Sequence, residues 1–285
     1  MVKRIRKPAA AAVLLAVFLW WLPGPVLAVP LQETAAATSS DTTHLDGRYV
    51  EKFGLDFGRV ITSPARWSGG EWLTFAAVVG AGAVVYAFDR DIYDAVQKQK
   101  TEFSRDASPY IRIFGNGGYL VGLTAALYAS GEIFGAPGLR KTALLGLESF
   151  LTTSVIVLAL KLAAGRARPY TGESSSSFHP FSLTTGYTSF PSGDAAGAFS
   201  VATVIADRTD SVFVDVLAYG LAGLVAFYRV HDNFHWPSDI LLGSALGFVV
   251  AKKVCRLNED RSANQFHVAF ECTGTRQAVT FFLAF

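Results

Sequence analysis

The chain has few cysteines, few charged residues and no nucleotide-binding glycine motif. Its 285 residues include two cysteines, Cys255 and Cys272, too few for a cysteine-based metal cluster. In an exported protein they suit one disulfide that closes a short loop, and two unpaired thiols are an equal alternative. No GxGxxG follows a strand pattern and no P-loop occurs, so nucleotide-binding α/β folds are not expected.

Charge is scarce as well, at 17% of residues with a formal net charge of +2. The Lys and Arg residues form no basic run, so nucleic acid is not an expected partner. Hydrophobic residues make up 51% of the chain, more than most soluble proteins contain. This composition favours a membrane or cell-envelope protein.

The first 28 residues have the pattern of a secretory signal peptide. Four Lys and Arg residues precede an apolar run over 9–22, and the small residues around Ala28 suit cleavage. An uncleaved membrane anchor is the alternative. Residues 29–48 are rich in Ala, Thr, Ser and Asp without apolar periodicity, which predicts a disordered linker.

Six apolar segments in the region 49–257 predict a single all-α domain. Each is long enough for a helix, and their Gly and Ala content permits close helix-to-helix approach in a bundle. The sequence therefore predicts a six-helix bundle that is associated with a membrane. The six segments are 71–88, 117–135, 141–163, 192–206, 211–228 and 236–252.

The last part of the chain, 258–285, has a different periodicity. Apolar residues alternate with polar or small ones on both sides of Thr273-Gly274-Thr275, which marks a turn. This predicts a β-hairpin. One hairpin cannot close a membrane barrel, so we expect a small hairpin that packs on the bundle.

Two cations end the third apolar segment. Lys161 lies near the end of the predicted helix and Arg168 precedes Pro169, so Arg168 is expected in an extended conformation that directs it toward the same side as Lys161. A guanidinium binds phosphate oxygens in pairs and an ammonium adds a point charge. The structural alternative is that both simply stabilise a helix C-terminus.

The other two polar elements begin the fourth and sixth segments. Ser192 and Gly193 open a helix whose free N–H groups suit an anion, or serve as a plain helix cap. Arg229 ends the fifth segment, and His235 and Asp239 stand four residues apart on one helical face. A carboxylate bonded to one imidazole nitrogen would leave the other basic, although such a pair alone is more often structural.

Together these elements resemble the three-part signature of the type 2 phosphatidic acid phosphatase (PAP2) family, whose fold is shared with vanadium haloperoxidases. The resemblance covers roughly residues 50–255. It implies that His235 attacks phosphorus to form a phosphohistidine, with Asp239 orienting the ring and no metal or cofactor required. The residues implied to bind the phosphate are Lys161, Arg168, Ser192, Gly193 and Arg229.

The chain departs from the family pattern at Tyr228, where serine is usual, and at Asp194, where histidine protonates the leaving alkoxide. An aspartate among several cations is expected to stay ionised, which makes it a poor acid but a passable base for water. Three hypotheses follow. Asp194 acts as a weaker acid and base, or His231 or His179 replaces the missing imidazole, or turnover is crippled and the chain binds phosphate esters.

The implied substrate is a phosphorylated lipid such as a phosphatidate, a phosphatidylglycerol phosphate, a polyprenyl diphosphate or a lipid A phosphate. A soluble phosphatase of the cell envelope and a vanadium haloperoxidase are the alternatives. The expected location is the inner membrane, facing the periplasm. If the signal is cleaved, three full spans would place the site in the cytoplasm, unless 71–88 lies along the bilayer or the bundle is a periplasmic domain. The oligomeric state is not predicted.

Overall fold

The computed structural model describes residues 44–263, 267–273 and 276–282, with side-chain surroundings up to residue 259. The predicted signal peptide, 1–28, and most of the predicted linker, 29–48, lie outside the described residues. The two predictions therefore stay predictions.

The described region is mainly helical. The helices are α1 (Gly47–Ile61), α2 (Gly69–Ala87), α3 (Asp89–Lys98), α4 (Glu102–Ile111), α5 (Gly117–Ile133), α6 (Pro137–Ala164), α7 (Gly193–Asp207), α8 (Val212–His231) and α9 (Pro237–Ala263). The six predicted apolar segments fall on α2 and α5 to α9, which confirms the all-α class. Helices α1, α3 and α4 lie outside those segments, because they are short or amphipathic and carry no long apolar run.

Four short 3₁₀ helices and local caps fix where these helices begin and end. The 3₁₀ segments are Ser63–Arg66, Arg112–Gly115, Pro169–Thr171 and Thr185–Tyr187. Ser68 and Glu71 form a reciprocal capping box at the start of α2, which satisfies N–H groups that the helix leaves free. At the other end of the bundle, Gly165 ends α6 with φ of 58°, a conformation that favours glycine.

Helix α7 lies in the centre of the bundle and contacts α6, α8 and α9. The contact with α9 is close, since a β-carbon at Gly247 would lie 2.1 Å from the Ala196 carbonyl oxygen. The Gly and Ala content of the predicted segments favoured close helix approach in α8 as well, at Gly220 and Gly223, but a β-carbon at either position would meet no atom within 4 Å. Those two glycines face open space, so the expectation is wrong for them.

A buried charge cluster ties α1 to α6. The Lys52 ammonium lies 3.2 Å from Asp56 and 3.3 Å from Glu148, and all three side chains are buried. Lys52 thus supplies an interior partner to Glu148, an acidic residue within the apolar segment 141–163. Asp215, an acidic residue in α8, has a buried Oδ1 without a hydrogen bond among the described residues.

Three helices of the described region are long and apolar enough to cross a membrane. They are α2, α6 and α8, which carry the predicted apolar segments 71–88, 141–163 and 211–228. Most of α2 is exposed, and large apolar side chains such as Leu73 and Val84 project outward. An exposed apolar surface of this kind is typical of membrane-associated proteins.

Two antiparallel strands follow the helices, β1 (His267–Thr273) and β2 (Arg276–Phe282), with His267 opposite Phe282 and Thr273 opposite Arg276. That this pair packs on the bundle stays a prediction. Cys255 is a buried free thiol in α9, whereas Cys272 lies in β1, where side chains are not described. The unpaired alternative therefore holds for Cys255.

Candidate active site

Lys161 and Arg168 converge on one residue after α6. The Lys161 ammonium donates to the Thr188 carbonyl oxygen, and Arg168 donates to the Thr188 hydroxyl at 3.0 Å. Arg168 is extended, with φ of −80° and ψ of 151°, as expected of a residue before proline. The two cations therefore lie side by side, as the sequence predicted.

The Phe234 ring joins the third cation to this pair. The guanidinium of Arg168 lies 5.7 Å from the ring centre and that of Arg229 lies 5.4 Å from it. These distances suit cation–π contacts. The Nε of Arg168 is buried and has no hydrogen-bond partner among the described residues. A buried unpaired donor is costly, so this cluster has capacity to bind an anion.

The N-terminus of α7 lies beside the cations. A β-carbon at Gly193 would lie 3.6 Å from Cε of Lys161, which places the first turn of α7 next to the ammonium. The buried Ser192 hydroxyl accepts from the Ala195 N–H at 3.4 Å, so Ser192 acts as a helix cap. Helix N-termini attract anions, and the cap and the anion site are therefore compatible.

Asp194, in the first turn of α7, forms an ion pair with Arg229. Its Oδ2 lies 2.7 Å from Nε of Arg229, and the carboxylate is about one third exposed. Asp194 therefore lies inside the cation cluster. It competes there with any anion for Arg229.

His235 is buried and held by the main chain. Its Nδ1 lies 2.7 Å from the Ser189 carbonyl oxygen, which can only accept a hydrogen bond, so Nδ1 carries the proton and Nε2 keeps its lone pair. Asp239 was expected to bond the ring directly, but its Oδ2 lies 3.8 Å from Nδ1, too far for a hydrogen bond. Burial lowers the pKa of His235 to about 4, although Asp239 acts in the opposite direction, so the ring is neutral near pH 7.

Asp239 holds the surroundings of the histidine instead. Its carboxylate accepts from the Ser189 hydroxyl at 2.5 Å, from Arg166 at 2.6 Å and from the Trp236 N–H at 2.9 Å. Its carbonyl oxygen accepts from the Ser192 N–H at 3.0 Å. Asp239 therefore joins the segments that carry Ser189, Ser192 and Arg166.

Arg166 and Asp89 complete this network, and sequence reasoning gave neither a role. Arg166 is 1% exposed and its guanidinium lies 2.6 Å from Asp89 as well as from Asp239. Asp89 also accepts from the Ser238 N–H at 2.8 Å and from its hydroxyl at 2.6 Å. Arg166 lies in the basic stretch after α6, close to Arg168, so the sequence could have indicated it as a site residue. Asp89 lies 149 residues from Ser238, and no local pattern links them.

The other two histidines considered as replacements for the missing imidazole have partners elsewhere. His231 is buried, with Nδ1 2.8 Å from Asp232 and Nε2 3.0 Å from the Ser104 hydroxyl. His179 lies 3.0 Å from Glu173 and its ring stacks on Tyr187 at a centroid distance of 3.9 Å. In this structure both imidazoles are therefore bound outside the cation cluster.

The fold and the site define a helical, membrane-type bundle with a cation cluster beside a buried histidine. Residues 142–262 match the model of the PAP2 superfamily. The sequence-based resemblance to PAP2 proteins is thereby confirmed.

Three individual proteins are similar to parts of the chain. A lipid A 1-phosphatase of Porphyromonas gingivalis is 36% identical over 70 residues, which is 24% of this chain and only 16% of that protein. The first transmembrane PAP2-type phosphatidylglycerolphosphate phosphatase from Bacillus subtilis has the same fold, with a TM-score of 0.53, 21% identity, and coverage of 67% of this chain and 98% of its own. LpxE of Aquifex aeolicus gives a TM-score of 0.49 and 19% identity, over 58% of this chain and 93% of its own.

Proposed function

We propose that this protein is a membrane phosphatase that removes a phosphate group from a phosphorylated lipid through a phosphohistidine at His235. The observation that carries the proposal is the Nδ1–H to Ser189 carbonyl bond of 2.7 Å. This bond fixes which nitrogen carries the proton, and because burial keeps the ring neutral near pH 7, Nε2 keeps its lone pair.

In the first step, the Nε2 lone pair attacks phosphorus while the bond from phosphorus to the lipid oxygen breaks. The leaving oxygen takes the electron pair of that bond. Lys161, Arg168 and Arg229 would stabilise the negative charge on the phosphoryl oxygens, together with the N–H groups at the start of α7 around Ser192 and Gly193. A covalent intermediate divides a difficult displacement into two easier ones.

In the second step, water attacks phosphorus and the bond from phosphorus to Nε2 breaks, which restores the neutral histidine and releases inorganic phosphate. A base must accept the proton of the water. Asp194 is the candidate, since its carboxylate lies within the cation cluster and is partly exposed to solvent. A carboxylate paired with Arg229 would be a poor proton donor to the leaving lipid oxygen, so hydrolysis is expected to be slow for poor leaving groups.

Asp239 and Arg166 would act as positioning residues. Asp239 accepts the Ser189 hydroxyl, and through it supports the carbonyl that orients His235. The direct orienting contact inferred from the sequence is thus replaced by an indirect one.

The lipid nature of the substrate is supported by the surroundings of the site. A cavity of about 260 Å³ begins at Lys161, Gly193 and Asp194 and continues between Phe150 and Leu158. Its far part is apolar and lies along α6, one of the helices long enough to cross a membrane. An acyl chain fits such a groove, whereas a fully water-soluble ester gains nothing from it. The export and periplasmic orientation expected from the sequence stay predictions.

A second candidate is a phosphate-ester-binding protein with little turnover. The ion pair between Asp194 and Arg229 favours it, because this pair must open before phosphate can use Arg229.

The test is a phosphate-release assay on purified protein in detergent, with phosphatidate, phosphatidylglycerol phosphate, polyprenyl diphosphate and lipid A, alongside trapping of the phosphoenzyme with ³²P-labelled substrate. We expect label on wild type and on a His179→Ala control, and none on His235→Ala. Normal turnover and labelling by His235→Ala would refute the mechanism. Binding of these lipids without any release would favour the second candidate.

A further inference from the structure

A second cavity lies behind the loop that joins α8 to α9. Its volume is about 350 Å³, enough for a phosphate-sized group with some water. The lining residues are Lys100, Arg105, Ser108, Pro109, Arg112, His231, Asp232 and Phe234. Neither the sequence motifs nor the catalytic steps above use this cavity.

The cavity is positively charged. Arg105 and Arg112 have no carboxylate within ion-pair distance among the described residues, and Lys100 has only a weak contact of 3.5 Å with the Asn233 side chain. Burial lowers the pKa of Lys100, with Arg105 acting in the same direction and Asp232 opposing it. A cation with a depressed pKa gains stability when an anion binds beside it.

Asp232 is the one carboxylate in the lining, and its oxygens have other partners. Oδ1 lies 2.8 Å from Nδ1 of His231, and Oδ2 accepts from the Ser108 hydroxyl. These contacts hold Asp232 against α4 and α8. Its charge reduces the positive potential of the cavity but does not occupy the guanidinium groups of Arg105 and Arg112.

The cavity and the catalytic cluster share one aromatic side chain. Phe234 lines the cavity, and its ring contacts the guanidinium groups of Arg168 and Arg229. An anion in the cavity and the phosphate-binding cations would therefore be neighbours of the same ring. His235 follows Phe234 directly in the chain, so the same short loop would contact both anions.

We propose that this cavity binds a second anionic group of the substrate, so that the preferred substrates are lipid phosphomonoesters whose headgroup carries another phosphate or phosphodiester close to the phosphate that is removed. The inference rests on the proposed phosphatase function and narrows its substrate class. Arg105 and Arg112 are the specificity-determining residues, and Lys100 adds a third positive charge.

The experiment compares two short-chain substrates, dihexanoyl phosphatidate with one phosphate and dihexanoyl phosphatidylglycerol phosphate with an additional phosphodiester. The test variant is Arg105→Gln/Arg112→Gln. The matched control is Arg48→Gln/Arg66→Gln, which also removes two exposed charges outside the cavity. We expect the test variant to raise KM for the second substrate about tenfold or more, as the loss of charge-assisted hydrogen bonds predicts, with kcat and the phosphatidate kinetics unchanged.

Equal losses on both substrates, or no loss on either, would overturn the proposal. Binding of the same two lipids to His235→Ala, followed by calorimetry, tests it even if the wild type releases no phosphate. We expect tighter binding of the phosphodiester-containing lipid, and loss of that preference when the two arginines are also replaced. Equal affinities would refute the second anion site alone. A further arm adds inorganic sulfate: if sulfate stimulates phosphatidate hydrolysis in wild type and not in the test variant, the cavity is a site for free anions and the proposal is wrong.

Discussion

The carboxylate of Asp194 lies 2.7 Å from Nε of Arg229. An acidic side chain is therefore already paired with a cation that a phosphate group would need. A negatively charged residue at this position has two effects on the proposed reaction. It lowers the affinity for the substrate phosphate, and it replaces a group able to donate a proton. The two effects are separable by substitution.

Replacement Asp194→His is expected to increase kcat/KM for alkyl phosphates by about a hundredfold, the usual contribution of a general acid. Replacement Asp194→Asn frees Arg229 without supplying an acid, so it should lower KM and leave kcat low. With p-nitrophenyl phosphate, whose leaving group needs little protonation, wild type should already be active. Steady-state kinetics on both substrates check this. Equal kinetics for the Asn and His variants would show that proton donation at residue 194 does not limit turnover.

The protonation state of His235 gives a second prediction. Because burial lowers its pKa to about 4, the ring should stay neutral, with the proton on Nδ1, from pH 8 down to about pH 5. ¹⁵N NMR of histidine-labelled protein measures this, with the signal assigned by its loss in His235→Ala. A titration midpoint near the ordinary histidine value of about 6.5 would contradict the assignment.

The same shift links pH to stability. The unfolded chain binds a proton at His235 below about pH 6.5 while the folded chain does so only below about pH 4, so stability is fully present above 6.5 and falls between these values. The unfolding midpoint in detergent should therefore fall more steeply with acid in wild type than in His235→Asn. Parallel curves would argue against a buried, neutral His235.

Arg166 should matter more for stability than other arginines. Replacement Arg166→Met leaves the carboxylates of Asp89 and Asp239 buried without their cation, and breaking a buried pair in this way costs about 3–5 kcal/mol. The exposed pair between Arg90 and Asp94 is a suitable control, since Arg90→Met should cost about 1 kcal/mol or less. Thermal unfolding compares them. Similar midpoints for both variants would mean that the Arg166 network contributes little.

The packing of α7 against α9 predicts a contrast between two glycines. Gly247→Ala forces a β-carbon against the Ala196 carbonyl oxygen, and overpacking of this kind typically costs about 1–3 kcal/mol. Gly220→Ala places the same carbon in open space and should change stability little. Thermal unfolding midpoints of the two variants, measured side by side, test this contrast. Equal midpoints would show that α7 and α9 move apart without cost to accommodate the added carbon.

The sequence predicted well what depends on local pattern. Six helices follow from apolar runs, and the extended Arg168 follows from Pro169. The grouping of Lys161, Arg168 and Arg229 with α7 was inferred from the joint motif pattern, and the structure brings these residues together.

Contacts between distant segments could not be predicted in the same way. The bond from His235 to Ser189 joins a side chain to a main-chain oxygen 46 residues away, and any residue type at 189 supplies that oxygen. Asp89 pairs with Arg166 across 77 residues. From the sequence, the carboxylate of Asp239, four residues after His235, was the expected partner of the ring. In the structure this carboxylate instead accepts hydrogen bonds from Arg166 and Ser189.

The main-chain bond to His235 has a consequence for how this site can be lost. Every amino acid has a carbonyl oxygen, so no point mutation at position 189 can delete the atom that fixes the imidazole tautomer. Inactivating changes should instead accumulate at residues that determine the path of the backbone there, such as Asp239 and Arg166. A deep mutational scan would then find position 189 sensitive through the loss of its hydroxyl or through added bulk at this buried site, and Asp239 and Arg166 sensitive although neither touches substrate.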